Sequence, residues 1–204
     1  MGLYERWIAP RLIACACSAR PIARQRAKIV PFASGRVLEL GMGAGANLAF
    51  YDPSKVTSVS AVEPNPVMRE KARLAASSTP LTLDLHDGVG ESLPFEAQCF
   101  DCVVCTYTLC TVADVAKTLA EARRVLKPKG RLLFCEHGIA PDAEVARWQK
   151  RLEPIWTPIG AGCRLTRDPV AALVAAGFTL AHLDAFYLPK TPRPMGWTSW
   201  GEAI

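Results

Sequence analysis

Three glycines and two acids carry the first chemical signal. Gly41, Gly43 and Gly45 lie between a short apolar run at 36–40 and a segment whose apolar residues resume at helical spacing. Glycines at a strand-to-helix turn let a ligand come close to the backbone, as nucleotide-binding turns require. Gly41-x-Gly43-x-x-Ala46 satisfies the relaxed dinucleotide fingerprint, and Glu63 follows Gly41 at nearly the spacing of a ribose-binding acid. Glu39 points elsewhere. A carboxylate two residues before the turn is badly placed beside a pyrophosphate but well placed to hold an α-ammonium, directly or through water. S-adenosylmethionine has that ammonium, a sulfonium and no phosphate, and 204 residues leave little room for the separate substrate domain of a hydride-transfer enzyme.

The cysteines offer a second signal. Cys99-x₂-Cys102-x₂-Cys105-x₄-Cys110 has the outward form of a metal-ligand set. Yet Cys102 and Cys105 are three apart on a strand, where side chains alternate, so they face opposite ways and cannot share an ion. Cys15 and Cys17, two apart on a helix, diverge by about 200°. The expectation is no metal, with the cysteines packed as small hydrophobes. Cys110 is the exception, since it falls past a strand end and stands as a candidate catalytic thiol. His137 follows Glu136 at the C-terminal end of another strand, the edge where open α/β sheets bind ligands. Its imidazole is either a general base near neutral pH or a structural ring bonded to a backbone carbonyl. His86 and His182 carry no comparable signal.

These groups need elements to position them. Apolar spacing predicts two helices at 3–17, interrupted at Pro10, and 20–31, opened by Pro21, which together form a basic amphipathic cap over residues 1–34. A strand at 36–40, the glycine turn and a following helix open a βαβ unit. Further strands are expected at 57–62, 81–86, 101–106 and 131–136, with helices at 67–76 and at 115–126, the latter stopped by Pro128 and Gly130. Helices at 143–152 and 169–176 flank a loop at 153–166, rich in Pro and Gly, that lies where a substrate cover could sit. Segments 178–187 and 195–203 read as a hairpin at one end of the sheet. Strands alternating with helices make residues 35–204 one doubly wound α/β domain.

Half the residues are hydrophobic, which excludes disorder, and no run of 18 uncharged residues is present to span a membrane. The formal charge of +5 is unevenly shared: residues 1–36 hold seven basic side chains against Glu5, a net of +6, leaving −1 for the rest. An anionic partner would have to meet the N-terminal cap. Eight cysteines in 204 residues are too sparse for a disulfide scaffold, so a reduced, cytoplasmic protein is expected.

Several stretches together resemble the class I S-adenosylmethionine-dependent methyltransferases: Val37-Leu-Glu-Leu-Gly-Met-Gly-Ala-Gly45, Val62-Glu-Pro-Asn65, Gly90-Glu-Ser-Leu-Pro-Phe95, Phe100-Asp101 and Arg124-Val-Leu-Lys-Pro-Lys-Gly130. Asn47-Leu-Ala-Phe-Tyr51, Cys105-Thr-Tyr-Thr-Leu-Cys-Thr-Val112, Glu136-His137 and Pro154-Ile-Trp-x₃-Gly-x-Gly-Cys-x-Leu-Thr-Arg167 look like the branch of alkyl thiol S-methyltransferases and their bacterial relatives. The resemblance implies a Rossmann-like, mostly parallel sheet of seven strands. It implies that Glu39, Gly41, Met42, Gly43, Gly45 and Asn47 surround the methionine part of S-adenosylmethionine, and that Glu63, with Pro64, Asn65 and Met68 beside it, accepts the ribose hydroxyls. Gly90 and Glu91 would lie beside adenine, and Thr106 and Tyr107 at the reactive end. Many relatives carry an Asp where this chain has Val89, which leaves adenine to backbone groups or to Asp87. Animal members carry an N-terminal membrane anchor, which is not expected here.

The implied reaction is in-line displacement at a sulfonium methyl, yielding S-adenosylhomocysteine, and it needs alignment more than acid or base machinery. A thiol of pKa about 8.5 is already partly ionised near neutrality, so a small apolar thiol is the favoured acceptor. Catalytic candidates are His137, Cys110 and Tyr107, and candidates for the acceptor's surroundings are Tyr4, Arg11, Trp156 and Arg164. Trp7, Trp148, Trp197 and Trp200 could wall an apolar pocket or sit in the core. Arg164 and Arg167 could meet an anionic acceptor or pair with Asp168 and Glu153. Phospholipid N-methylation and quinone C-methylation are the rival reactions, and weak contact of the basic N-terminus with a membrane surface would suit them. A non-catalytic ligand- or nucleic-acid-binding role is the rival from another class. A monomer that does not bind nucleic acid is expected.

Overall fold

Strand β1 (Gly35–Leu40) is buried over its last four residues, as a strand covered on both faces must be. It pairs in parallel with β2 (Val56–Val62) on one side and β4 (Phe100–Thr106) on the other. Strand β3 (Leu83–His86) extends the first side. On the other, β5 (Leu126–His137) runs parallel to β4, followed by antiparallel β7 (Trp197–Ala203) and the edge strand β6 (Leu180–Tyr187). The order β3-β2-β1-β4-β5-β7-β6 reverses between β1 and β4, so the crevice at their C-terminal ends is the expected ligand site. This computed structural model describes residues 19–204.

Helices cover both faces. One face packs Leu38, Leu40, Val103, Cys105 and Phe134 against α3 (Val115–Val125) and α5 (Pro169–Ala175). The other packs Val37, Val59, Ala61, Cys102 and Cys135 against Ile29 of α1 (Arg20–Ile29) and Ala72 of α2 (Pro66–Ala76). Cys102 and Cys105 thus lie on opposite faces, as alternation requires. None of the described cysteines is in a disulfide. Helix α1 matches the expectation for 20–31, while the expected helix at 3–17, with Tyr4, Trp7 and Arg11, lies outside the described residues. The β6–β7 pair forms the expected hairpin, its connection carrying the short helix α6 (Arg193–Gly196).

Two expectations fail, each for a backbone reason. No α-helix follows the glycine turn; only a 3₁₀ turn, Leu48–Phe50, lies between β1 and β2. Gly41, Gly43 and Gly45 have φ of 67°, 55° and 81°, and left-handed residues at alternate positions cannot continue into a right-handed helix before Pro53. The second concerns α4 (Ala143–Ile159), which runs through Pro154 and Pro158 where a loop was expected. The prolines are four residues apart and both exposed, so they share one face. The carbonyls they leave unpaired, on Lys150 and Pro154, belong to exposed residues that water can satisfy.

Candidate active site

The donor side is built around Glu63 and the glycine turn. Glu63 closes β2 and is almost fully buried, and its carboxylate accepts peptide N–H groups from Gly43 (2.9 Å) and Asn65 (2.9 Å). Burial raises its pKa against those two hydrogen bonds. The acid therefore ties the turn after β1 to the start of α2, with lone pairs left on both oxygens. Asn65 also caps α2, its side chain accepting from Val67 and Met68, so the amide is committed to the fold. Pro64 is exposed, whereas Met42 and Met68 are buried.

The three glycines divide. A Cβ on Gly41 would meet Thr108 at 2.7 Å, and one on Gly45 would meet Leu48 at 2.9 Å. One on Gly43 would meet nothing within 4 Å. Open space lies beside Gly43 alone of the three, so a ligand approaching the backbone would do so there.

Below the turn, Glu39 is 2% exposed and accepts from Asn47 (3.0 Å) and the Tyr51 hydroxyl (2.7 Å). Burial pushes its pKa up to about 7 despite these partners and the nearby Arg26. Asn47, itself fully buried, also donates to Thr106 (3.0 Å) and accepts from Arg26 (2.7 Å), which bonds Thr106 as well. Arg26 was not foreseen. It comes from α1 and turns a cationic head into the site, with its Nε buried and without a hydrogen-bond partner. Sequence offered only a surplus of N-terminal charge, which cannot say which arginine points inward; Arg24 and Lys28 on the same helix are exposed.

Past β4, Tyr107 has a φ of 54°, a conformation that costs a bulky residue strain and that clusters at functional turns. Its hydroxyl meets Cys135 Sγ at 3.5 Å, and burial pushes its pKa far up, which removes it as a proton acceptor. Gly90 abuts Thr118, where a Cβ would clash at 2.8 Å. Glu91 is occupied in bonding the peptide N–H groups of Ala113 (2.7 Å) and Asp114 (3.0 Å) at the start of α3. Asp87, an alternative reader of adenine, is gripped by both Arg69 terminal nitrogens and stays exposed, as does Val89.

The acceptor side gathers residues from three elements. Cys110 on the turn after β4, His137 at the end of β5 and Cys163 in the loop after α4 place one ligand atom each within 4.8 Å of one another. His137 Nε2 is 3.1 Å from Cys163 Sγ, and Trp156 Nε1 donates to the same sulfur at 3.2 Å. Hydrogen bonding from Cys110, then from His137 and Trp156, overcomes burial and draws the Cys163 thiol well below its ordinary range. Burial opposes protonation of His137, but the contact with Cys163 outweighs it and raises the ring's pKa. On the acceptor side Cys163 is the residue that sequence reasoning missed, although it stands inside the Gly-x-Gly-Cys stretch. The loop is pinned by Arg164 N–H to Cys110 O (2.9 Å) and by Arg167 to the Leu109 carbonyl. Glu153 bonds Thr166 and Asp168 caps α5, so neither forms the expected pair with Arg164 or Arg167. The Arg164 side chain is exposed. Of the tryptophans, Trp148 is exposed, Trp197 packs on Tyr187 and Trp200 on His182; Trp156 alone of these touches the cluster.

Known proteins resemble this chain in sequence and in fold. Residues 38–134 match the model of a methyltransferase domain. The chain is 38% identical over 173 residues to thiol S-methyltransferase TMT1B of Rattus norvegicus, covering 82% of this chain and 70% of the relative. It is 35% identical over 167 residues to human thiol S-methyltransferase TMT1A, covering 78% and 67%. A solved S-adenosylmethionine-dependent methyltransferase of Thermotoga maritima, 20% identical, superposes with a TM-score of 0.67 over 98% of this chain and 97% of its own, which bears on the fold. The chain belongs to the class I S-adenosylmethionine-dependent methyltransferases, on the branch that includes the thiol S-methyltransferases.

Proposed function

We propose that this methyltransferase acts on the sulfur of a small apolar thiol. The observation that carries the reading is the sulfur- and imidazole-lined cluster of Cys110, His137 and Cys163, placed at the C-terminal sheet edge one turn of chain beyond the Thr106 that closes the donor side. The two named thiol S-methyltransferase relatives support it.

The residues fit S-adenosylmethionine better than a phosphate-bearing nucleotide. No α-helix opens after the glycine turn, so the N-terminal dipole that a pyrophosphate needs is missing, while open space beside Gly43 leaves room for a ligand. When bound, the donor supplies a sulfonium methyl to an incoming nucleophile. In this reading Glu63, held by two peptide N–H groups, accepts the ribose hydroxyls, and Gly43 lets the methionine part approach. Glu39 receives the α-ammonium, directly or through water, and Asn47 fixes the Glu39 carboxylate. The Arg26 guanidinium, fixed by Asn47 and Thr106, sets a positive charge beside the site that favours the donor's carboxylate. Tyr107 positions the turn that separates donor from acceptor. His137 and Cys163 orient the acceptor's sulfur.

A methyl-transfer screen with alkyl thiols, sulfide, phenols, amines and phosphatidylethanolamine vesicles tests the reading. S-methylation of an alkyl thiol is expected to exceed every other transfer by at least about a hundredfold in kcat/KM, some 2.7 kcal/mol of transition-state preference. Faster transfer to an amine or phenol would overturn it.

A further inference from the structure

We infer that Cys110, His137 and Cys163 form a site for a thiophilic divalent cation of the zinc type, whose fourth ligand is the sulfur of the methyl acceptor. The inference rests on the thiol reading above and adds to it what binds and ionises the thiol.

Two thiols and an imidazole are the donor set that selects zinc over the oxygen-loving cations. Bond lengths of about 2.3 Å to sulfur and 2.0 Å to nitrogen in a tetrahedron separate ligand atoms by roughly 3.5–3.8 Å. The three atoms here lie within 4.8 Å of one another, with the imidazole nitrogen 3.1 Å from Cys163 Sγ, so side-chain shifts of about 1 Å or less enclose an ion. The backbone already fixes the arrangement. Arg164 N–H binds the carbonyl of Cys110, Ile139 N–H binds that of Arg167, and the buried Gln149 fastens the chain just after His137 through Gly138 O (2.9 Å) and Ala140 N (2.8 Å). The Trp156 indole N–H on Cys163 Sγ is the kind of outer contact that orients a ligating thiolate.

The group stops at three. Among the described residues no fourth Cys, His, Asp or Glu joins it, and Glu136 is held on the other face of β5, bonded to Thr108 N and Cys105. Three protein ligands and one open position are the pattern of catalytic rather than structural zinc. A thiol entering that position gives up its proton to solvent, because a coordinating thiol is deprotonated. A lone pair of the sulfur then forms the new S–CH₃ bond. The methyl carbon's bond to the sulfonium breaks, and its electron pair stays on the leaving sulfur, which becomes a neutral thioether. The methylated product is itself a neutral thioether and a poorer ligand, so it leaves. No electron is gained or lost overall.

The test uses the full chain, reduced, stripped with a chelator and titrated with Co²⁺. One equivalent is expected to bind, with a near-ultraviolet thiolate-to-cobalt band and the visible bands of a tetrahedral ion. C163S and C110S each lose the charge-transfer intensity of one thiolate, H137Q weakens binding by about tenfold or more, and C99S leaves the spectrum unchanged. Adding an alkyl thiol shifts the visible bands. A wild-type chain that shows no charge-transfer band overturns the site, and bands that an alkyl thiol leaves unmoved overturn the acceptor's place in it. Methyl transfer assayed in parallel separates the two readings: thiols methylated with no ion bound sink the metal alone, whereas an ion bound with no thiol methylated sinks the acceptor.

Discussion

The donor edge and the acceptor edge of this sheet are built in opposite ways. Around the glycine turn of the donor edge the residues fall between positions 39 and 63, and Glu63 is held by peptide N–H groups. At the acceptor edge the residues come from positions 110, 137 and 163 and meet side chain to side chain. A site made from backbone is fixed by chain geometry and depends on glycines and caps; a site made from side chains depends on tertiary packing and can be lost with one atom.

The donor edge also has a side-chain part, where Arg26 reaches in from α1 to join Asn47 and Thr106, and the largest effect is expected from removing it. Its guanidinium binds Asn47 and Thr106, and its charge favours the ionised form of the buried Glu39. Arg26→Ala leaves these polar groups buried without it and is expected to cost about 3 kcal/mol in denaturant unfolding. A loss below about 1 kcal/mol would mean that the donor edge stands on its own backbone after all.

Glu39 gives the next largest effect. Burial raises its folded pKa to about 7 from 4.5, so between those values the unfolded chain ionises while the folded chain keeps its proton. The contribution is present below pH 4.5, falls as pH rises through 7, and amounts to about 3 kcal/mol across that window. Glu39→Gln removes the titration. Relative to wild type, the donor-free variant should therefore gain about 3 kcal/mol in chemical denaturation between pH 4.5 and pH 8. A constant difference would show that the carboxylate is solvated. A carboxylate kept half protonated near neutrality suits a site that awaits an ammonium, because the arriving cation ionises it.

The same contrast explains what the amino-acid sequence disclosed. Glycine spacing, the acid after β2 and the alternation of Cys102 and Cys105 are properties of neighbours in the chain, and all were legible. So were the order of strands from β1 to the hairpin and the helices after β2 and β4. Legibility ended where the result depended on contacts across the fold. Apolar spacing after Gly45 suggested a helix that three left-handed glycines forbid. Pro154 and Pro158 suggested a loop, although two exposed prolines four apart can ride on one helix face. Arg26 could not be told from six other basic residues near it, and Cys163 could not be joined to Cys110 and His137 before the loop after α4 had a place.

Glu63→Ala separates the two edges directly. Loss of one charged acceptor for the ribose hydroxyls is expected to weaken S-adenosylmethionine binding at least about tenfold by calorimetry, roughly 1.4 kcal/mol. The Co²⁺ spectrum should not change. Unaltered donor affinity would remove the acid from the site, and a changed cobalt spectrum would show that the two edges are one.

The smallest effect, and the finest test of a backbone-built site, comes from the glycines. Gly43→Ala places a side chain at a φ of 55°, a left-handed conformation that costs a non-glycine residue about 1 kcal/mol. Its new methyl meets nothing within 4 Å, so stability should fall by no more than that strain. Gly41→Ala carries similar strain, but its methyl also meets Thr108 at 2.7 Å, where the hydroxyl bonds the carbonyl of Leu40. It must therefore lose more stability. Donor affinity should run the other way at equal temperature below both transitions. The methyl on Gly43 projects into the space the donor enters and should weaken binding several-fold, while that on Gly41 is turned into the protein and acts on binding only through the strain it causes. If Gly43→Ala bound S-adenosylmethionine as tightly as wild type, the open side of the turn would not be where the donor lies, and the donor edge would owe its affinity to Glu63 and Arg26 instead.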